Sequence, residues 1–415
     1  MAPQLRTLET GEWDTWYRTL ERAFGGPPTP PEARELWQSL TEHDRSLGAW
    51  EGAGAGDECV GTAGAFSLRL SVPGSAVVDT AGVTMVSVAA THRRRGLLTT
   101  MMRRQLDDIR GRGEPLAALV ASEPGIYGRF GYGMATQQLS ATVDTARVRL
   151  EVPAGTGADA VRLRYADPVS ALPACEAVYA EAVAERPGMP ARRPGWDRVA
   201  VLAPQGGRDG GSPLLCVVAE RDGVTVGYAR FHNTPQWDVS GARGTIVLRD
   251  LEARDPGAYA SLWRFLFEID LTSTLVAQNR PVDDAWQHLV SDVRRCERQL
   301  RDGLFVRLVD VGTALESRTY RTEVDVVLEV EDPFCPWNEG RWRLSGDHRG
   351  ASCTRTAAPA DVALPVGALA SAYLGGVPLT ALARAGRAGE LGRGTLARAS
   401  LAFGNETAPW LPHSF

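Results

Sequence analysis

The sequence contains no lysine; every one of its 45 basic residues is arginine. Set against 50 acidic residues they leave a net charge of −5. A chain this acidic lacks the field that holds nucleic acid or anionic lipid by counterion release. Neither partner is expected, and any basic patch must be local. Cysteine is sparse as well: Cys59, Cys175, Cys216, Cys296, Cys335 and Cys353 are scattered without a C-x-x-C pair. That spacing offers no zinc site and no disulfide framework, so no metal is expected. No run approaches the ~18–20 apolar residues of a membrane span. The opening MAPQLRTLETGEWD lacks the charged head and apolar stretch of a secretory signal, which points to a cytoplasmic protein with no membrane partner.

What is present is an ordinary globular composition. Hydrophobic residues make up 44% and charged residues 23%, enough to bury substantial cores. At about 150 residues per domain, 415 residues predict two or three domains. Trp13, Trp16, Tyr17, Leu20 and Phe24 recur at helical spacing and stop at Gly25-Gly26, and a second short helix follows the prolines at 27–31. Val- and Thr-rich runs at 59–69 and 76–88, joined by Pro73-Gly74-Ser75, predict a hairpin; a helix over 97–109 and strands over 115–122 and 137–143 come next. The Gly-, Ala- and Thr-rich stretch 153–159 reads as a join. Beyond it the elements echo the first unit: a helix over 169–183, a hairpin turning at Arg221-Asp222-Gly223, a strand over 245–251 and a helix over 258–269. After Asp302, strands at 305–309, 324–330 and 341–344 and helices at 379–384 and 395–403 predict a third, α+β domain. The last residues, NETAPWLPHSF, carry large apolar anchors that a fraying tail seldom has, so this end is expected to be held down.

The stretch Val86-Ser87-Val88-Ala89-Ala90-Thr91-His92-Arg93-Arg94-Arg95-Gly96-Leu97-Leu98-Thr99 carries the chemistry. A strand stops, a turn rich in Arg and Gly follows, and a helix begins. Such a turn aims the free N–H groups and positive dipole end of the helix at one spot, where an anionic phosphate fits. Neither G-x-x-x-x-G-K-[ST] nor G-x-G-x-x-G occurs, so nucleotide hydrolysis and hydride transfer lose support. The bland rival is a solvated arginine turn.

The loop resembles the pyrophosphate loop of GNAT acetyltransferases, [R/Q]-x-x-G-x-[G/A], read here as Arg93-Arg94-Arg95-Gly96-Leu97-Leu98. With Ala121-Ser122-Glu123-Pro124-Gly125-Ile126-Tyr127-Gly128-Arg129-Phe130-Gly131-Tyr132-Gly133 and the final Phe415, it resembles the enhanced intracellular survival (Eis) family of bacterial N-acetyltransferases over the whole chain. The resemblance implies a mixed α+β architecture of tandem GNAT folds followed by a sterol-carrier-protein-like domain. Residues 1–146 would be the N-terminal GNAT domain with the acetyl-CoA site. Residues 147–301 would be a central GNAT-like domain without a CoA loop, since Ala253-Arg254-Asp255-Pro256-Gly257 precedes its helix. Residues 302–415 would be the sterol-carrier-like domain supplying the terminal carboxylate. A homohexamer is expected on the same ground.

Acetyl-CoA as cosubstrate would be held by Val86, Ser87 and Val88, by Arg94, Arg95, Gly96, Leu97, Leu98 and Thr99, and by Ser122 and Glu123. The family assigns the general acid to the tyrosine matching Tyr127 and the general base to the last carboxylate, here Phe415. A phenol (reference pKa about 10) is a weaker acid than a thiol (about 8.5), so donation must come late in thiolate departure. An α-carboxyl is a poor base unless desolvated, as it would be beside Trp410, Leu411 and its own ring. The rivals are a buried aromatic at Tyr127 and a domain plug at Phe415. His92, abutting the loop, reads as a surface or cation-binding residue.

Phe24, Trp37, Thr84, Met85 and Ser414 are placed on the acceptor pocket. Acceptors expected from the family are primary amines of small molecules of aminoglycoside, polyamine or lysine type. Where members that acetylate aminoglycosides carry acids, this chain has Gly25-Gly26 and Ser414, which weakens the pull on a polycationic sugar. Lacking lysine, the protein offers no ε-amine of its own to acetylate. The alternative class is a non-catalytic lipid- or small-molecule-binding protein with a regulatory CoA site.

Overall fold

In the computed structural model, residues 3–52, 58–202 and 211–415 are described. They form two compact units. The first takes the residues up to Thr136, Gly303–Pro409 and Ser414–Phe415; the second takes Gln137–Asp302 and Trp410–His413.

The first unit begins with β1 (Gln4–Thr7), α1 (Trp13–Phe24) and α2 (Pro31–Leu40). The aromatic spacing of α1 buries Trp13, Trp16 and Tyr17, and Gly25 ends the helix at φ +66°, a conformation that costs glycine little. Both buried indoles are satisfied: Trp13 Nε1 donates to Thr41 Oγ1 at 2.9 Å and Trp16 Nε1 to the Leu47 carbonyl at 2.8 Å. Strands β2 (Leu47–Glu51), β3 (Glu58–Ser71) and β4 (Val77–Val88) follow, then α3 (Leu97–Gly111), β5 (Leu116–Val120) and β6 (Gly133–Met134). The expected hairpin is β3–β4, closed through Pro73-Gly74-Ser75, with Ser75 at φ +66°. β3 is buried along nearly its whole length because helices cover both faces: α1 lies on one, and α3 turns Met101, Met102, Gln105, Leu106 and Ile109 toward the other.

The sheet order is β1-β2-β3-β4-β5, then strand Leu304–Leu308, then β6. β4 and β5 pair in parallel only from Thr80↔Leu116 to Gly82↔Ala118. Beyond Gly82 the strands part, and β5 is paired on its other edge with Leu304–Leu308. β4 meanwhile stays joined to β3 as far as Val88. A wedge with an unpaired β4 edge therefore opens beyond residue 82.

Residues 324–403 of the same unit supply a further sheet, with strands Val324–Glu331, Gly340–Gly346, Ala351–Arg355, Val362–Pro365 and Gly389–Glu390, and helices Val366–Ala372, Leu379–Arg384 and Thr395–Phe403. Its interior is filled by Arg318, whose guanidinium donates to the carbonyls of Tyr373 and Phe403 and lies over the rings of Tyr320, Tyr373 and Phe403. A second buried guanidinium, Arg307, is paired with Asp332 at 2.7 Å.

The second unit is one sheet in the order Cys296–Asp302, Gln137–Asp144, Thr272–Arg280, Gly244–Ala253, Val224–Thr234, Leu215–Arg221, Arg162–Ala166, with helices Leu172–Glu185 and Pro256–Phe267. The expected turn is present: Asp222 and Gly223 both have positive φ, +52° and +79°, as a two-residue hairpin loop requires. Two readings change. The strand at 137–144 pairs inside this unit, with Thr272–Arg280 and Cys296–Asp302. The stretch 153–159 is not a join between units, because it lies within the second one and its backbone runs against Gly257, where a Cβ would meet the Thr156 carbonyl at 2.6 Å.

Candidate active site

The wedge beyond Gly82 opens into a cavity of about 540 Å3. One wall is the free edge of β4 at Val86, Ser87 and Val88; a second is the turn and first residues of α3, Arg93, Arg94, Gly96, Leu97, Leu98 and Thr99; a third is Ser122, Glu123, Ile126, Tyr127 and Arg129. Phe24 and Ala23 close one side. Arg95, also expected here, is exposed but is not among the lining residues. His92, read as a surface or cation-binding residue, is not on the surface: it is 7% exposed and lines the cavity. Its Nε2 pairs with Glu51 Oε2 at 3.0 Å and its Nδ1 with Thr91 Oγ1 at 2.8 Å, which ties the loop to β2.

The loop's conformation follows from its sequence. Arg94 at φ +64° and Gly96 at φ +81° put left-handed residues in the turn that enters α3, the backbone pattern from which anion nests are built. No side chain caps α3, so its first amides keep no intrahelical partner, and a Cβ placed on Gly96 would meet nothing within 4 Å. Arg93, Arg94 and Arg129 outnumber Glu123 among the charged residues on the cavity, which gives this corner of an acidic protein a positive field. Backbone donors, open space and cations together fit a diphosphate. The corresponding helix of the second unit, Pro256–Phe267, is different: Asp255 Oδ1 accepts from the amides of Gly257 (2.9 Å) and Ala258 (3.0 Å), so its own carboxylate occupies the place of an anion.

Tyr127 sits on a 3-10 turn, Pro124–Phe130, started by Pro124 and ended by Gly131 at φ +83°. Its ring meets Tyr132 edge-on, with centroids 5.9 Å apart. Its hydroxyl has no hydrogen-bond partner among the described residues. Burial first, and the Glu123 charge second, push its pKa above the ordinary phenol value, so it stays protonated at neutral pH.

Phe415 lies against β4. Thr84 Oγ1 donates to its main-chain oxygen at 3.0 Å, two residues before the cavity edge at Val86. Met85, at φ +52°, marks a bulge whose carbonyl accepts from Thr62 Oγ1 at 2.7 Å. Met85 and Trp37 pack on the cluster of Trp13, Trp16, Tyr17 and Trp50, and Trp37 also stacks on Phe66. Neither lines the cavity, and Ser414 is exposed. Residues missed in the sequence include Arg129 and Ile126, which flank Tyr127 on its turn; their closeness to that tyrosine was the available signal.

Comparison with known proteins agrees with this geometry. Residues 4–135 and 188–308 each match an acetyltransferase (GNAT) domain, and 311–412 match a sterol carrier protein domain. An uncharacterised N-acetyltransferase of Streptomyces avermitilis is 65% identical over the full length of both chains. N-acetyltransferase Eis of Mycobacterium tuberculosis is 37% identical over 86% of this chain and 86% of its own. The crystal structure of Eis1 from Mycobacterium abscessus superposes with a TM-score of 0.82 at 35% identity, covering 99% of this chain and all of that one.

The chain belongs to the Eis family of N-acetyltransferases. It is an enzyme of the GNAT superfamily with two GNAT domains and a sterol-carrier-like C-terminal domain. GNAT acetyltransferases use acetyl-CoA, which suits the anion nest of the first unit. No helix among the described residues is long and apolar enough to cross a membrane.

Proposed function

We propose that this Eis-family enzyme transfers the acetyl group of acetyl-CoA to a primary amine of a small molecule, with the Phe415 carboxylate as general base and Tyr127 as general acid. One observation carries the reading: the Phe415 main-chain oxygen is held on β4 by Thr84, next to the cavity that Tyr127 lines. Acetyl-CoA would supply the acetyl thioester. Arg93, Arg94 and the α3 amides would hold its diphosphate, and the unpaired edge at Val86–Val88 would pair with its amide groups as another strand would. The acceptor enters as the free amine, its ammonium proton already lost to solvent, and as its nitrogen attacks the thioester carbonyl the Phe415 carboxylate takes the proton that nitrogen must lose to become an amide. As the C–N bond forms and the C–S bond breaks, Tyr127 Oη gives its proton to the sulfur, and the proton on the Phe415 carboxyl then returns through solvent to the phenolate. Burial makes that phenol a reluctant acid, so the transfer belongs late in the step, when the sulfur carries most charge.

Gly25-Gly26 and Ser414, which the resemblance puts on the acceptor side, carry no charge. This favours an acceptor of lower charge than an aminoglycoside. Incubation with acetyl-CoA and a panel of polyamines, amino-acid amines and aminoglycosides, read by thiol release, tests the reading. Transfer to at least one amine is expected, and loss of transfer when residues are appended after Phe415. Full activity of the extended chain would remove the carboxylate from the mechanism. A cytoplasmic homohexamer is part of the same proposal, and sedimentation velocity measures its assembly state.

A further inference from the structure

Two residues of β4 face the last residue of the chain. At Gly82, the last residue paired with β5, an added Cβ would come within 3.1 Å of the Phe415 ring at Cδ2 and within 2.4 Å of Leu68 Cδ1. A side chain at 82 would therefore displace Leu68 first and press on the Phe415 ring second, so glycine here lets both side chains lie close to β4. Two residues on, and so on the same face of the strand, Thr84 Oγ1 holds the Phe415 main-chain oxygen at 3.0 Å. Opposite Thr84 in the register stands Gly64, so the hydroxyl is not crowded from β3.

We propose that Gly82 and Thr84 form a seat for the chain terminus and act as positioning residues for the base, Gly82 by admitting the ring and Thr84 by tying one carboxylate oxygen. The inference rests on the reading of Phe415 as base. A carboxylate at the end of a chain is free to rotate and is mobile by default. Tying one oxygen to a donor on a paired strand leaves the other free to receive the acceptor's proton, and the order is in place before substrate arrives. Thr84 thereby serves the base and not the acceptor wall.

The test compares Thr84→Val, Thr84→Ser, Gly82→Ala and a chain with one glycine added after Phe415. It reads kcat at saturating acetyl-CoA and amine, and CoA affinity by calorimetry. Thr84→Val is expected to lower kcat about tenfold or more, since it removes a hydrogen bond to a charged group. Thr84→Ser should stay within about twofold of the parent, Gly82→Ala should fall with Thr84→Val, and CoA affinity should not move in any of them. An inactive extended chain beside a fully active Thr84→Val refutes the seat and leaves the base reading standing. Equal losses in Thr84→Val and Thr84→Ser also refute it, because the hydroxyl would then not matter. A fully active extended chain refutes the base reading itself. Should Gly82→Ala fail to fold, the Val and Ser pair decides.

Discussion

Replacing Tyr127 by Phe separates chemistry from structure more cleanly than any other change at this site. The hydroxyl bonds to nothing among the described residues, while the ring packs edge-on against Tyr132 and borders the core of Ala65, Met102 and Phe130. Tyr127→Phe keeps that packing and removes one hydroxyl of a half-buried, cavity-lining residue that forms no protein hydrogen bond. Folding stability should change by no more than about 0.5 kcal/mol in either direction. The proton for the sulfur, in contrast, is lost outright. Positioned general acids contribute about 10²–10⁴ in rate, so kcat should fall by about that factor, equivalent to about 3–5 kcal/mol of barrier. Thiol release under single-turnover conditions gives the rate, and urea denaturation gives the stability. A variant that keeps its rate within threefold, at unchanged stability, would mean that Tyr127 is a wall residue and that solvent or another group protonates the sulfur.

Three further outcomes follow from the geometry. Arg94→Gly suits the backbone at φ +64° and removes the whole side chain with its guanidinium, so KM for acetyl-CoA should rise about tenfold or more with Tm unchanged or slightly higher; an unchanged KM would take Arg94 out of diphosphate binding. Asp332→Ala leaves the Arg307 guanidinium buried without its carboxylate, and Asn338 Nδ2 and the Cys335 amide lose the same partner, so urea denaturation should show a loss of about 3–5 kcal/mol, whereas a loss under 1 kcal/mol would mean the charge finds water. In the second unit, Asn279 Nδ2 donates to the carbonyls of Leu411 (3.1 Å) and Pro412 (2.8 Å), and Trp410 Nε1 donates back to the Asn279 carbonyl (3.1 Å). Asn279→Ala should therefore speed hydrogen exchange at the Trp410 amide, which donates to the Pro187 carbonyl, and unaltered protection would show that the indole alone holds the tail.

Local signals in the sequence were reliable where one short segment decides its own shape. The aromatic spacing of α1 with Gly25 at its end, the β3–β4 hairpin, the Asp222-Gly223 turn and the helices Leu379–Arg384 and Thr395–Phe403 all follow from residues within a few positions of each other. Pairings between distant segments were not legible. Nothing in Leu304–Leu308 names β5 as its partner, because a fully buried strand is apolar throughout and fits many edges. The helix Val366–Ala372 is buried at all seven positions, so it shows no amphipathic period to read. Gly157 reads as part of a join because glycine serves flexible links and left-handed turns alike, and here it serves the second, at φ +77°. At the site, the motif located the loop and Tyr127, but the burial of Trp37 and Met85 in an aromatic cluster depends on helices and strands that the motif does not describe.

One residue explains how a single strand can both hold Phe415 and line the cavity. Along a regular strand, Gly82, Thr84 and residue 86 would all face the same way. The bulge at Met85 interrupts that alternation: its φ of +52° is costly for a side-chain-bearing residue, and Thr62 stabilises it by bonding the Met85 carbonyl and, at 2.7 Å, the Ser87 hydroxyl. Residues before the bulge keep the face on which Phe415 lies, and residues after it line the cavity with the loop and Tyr127. The strain thus falls between the Phe415 contact and the cavity edge. A strand without the bulge would carry Val86 onto the Phe415 face, so the bulge at Met85 is what lets one strand hold Phe415 and line the cavity.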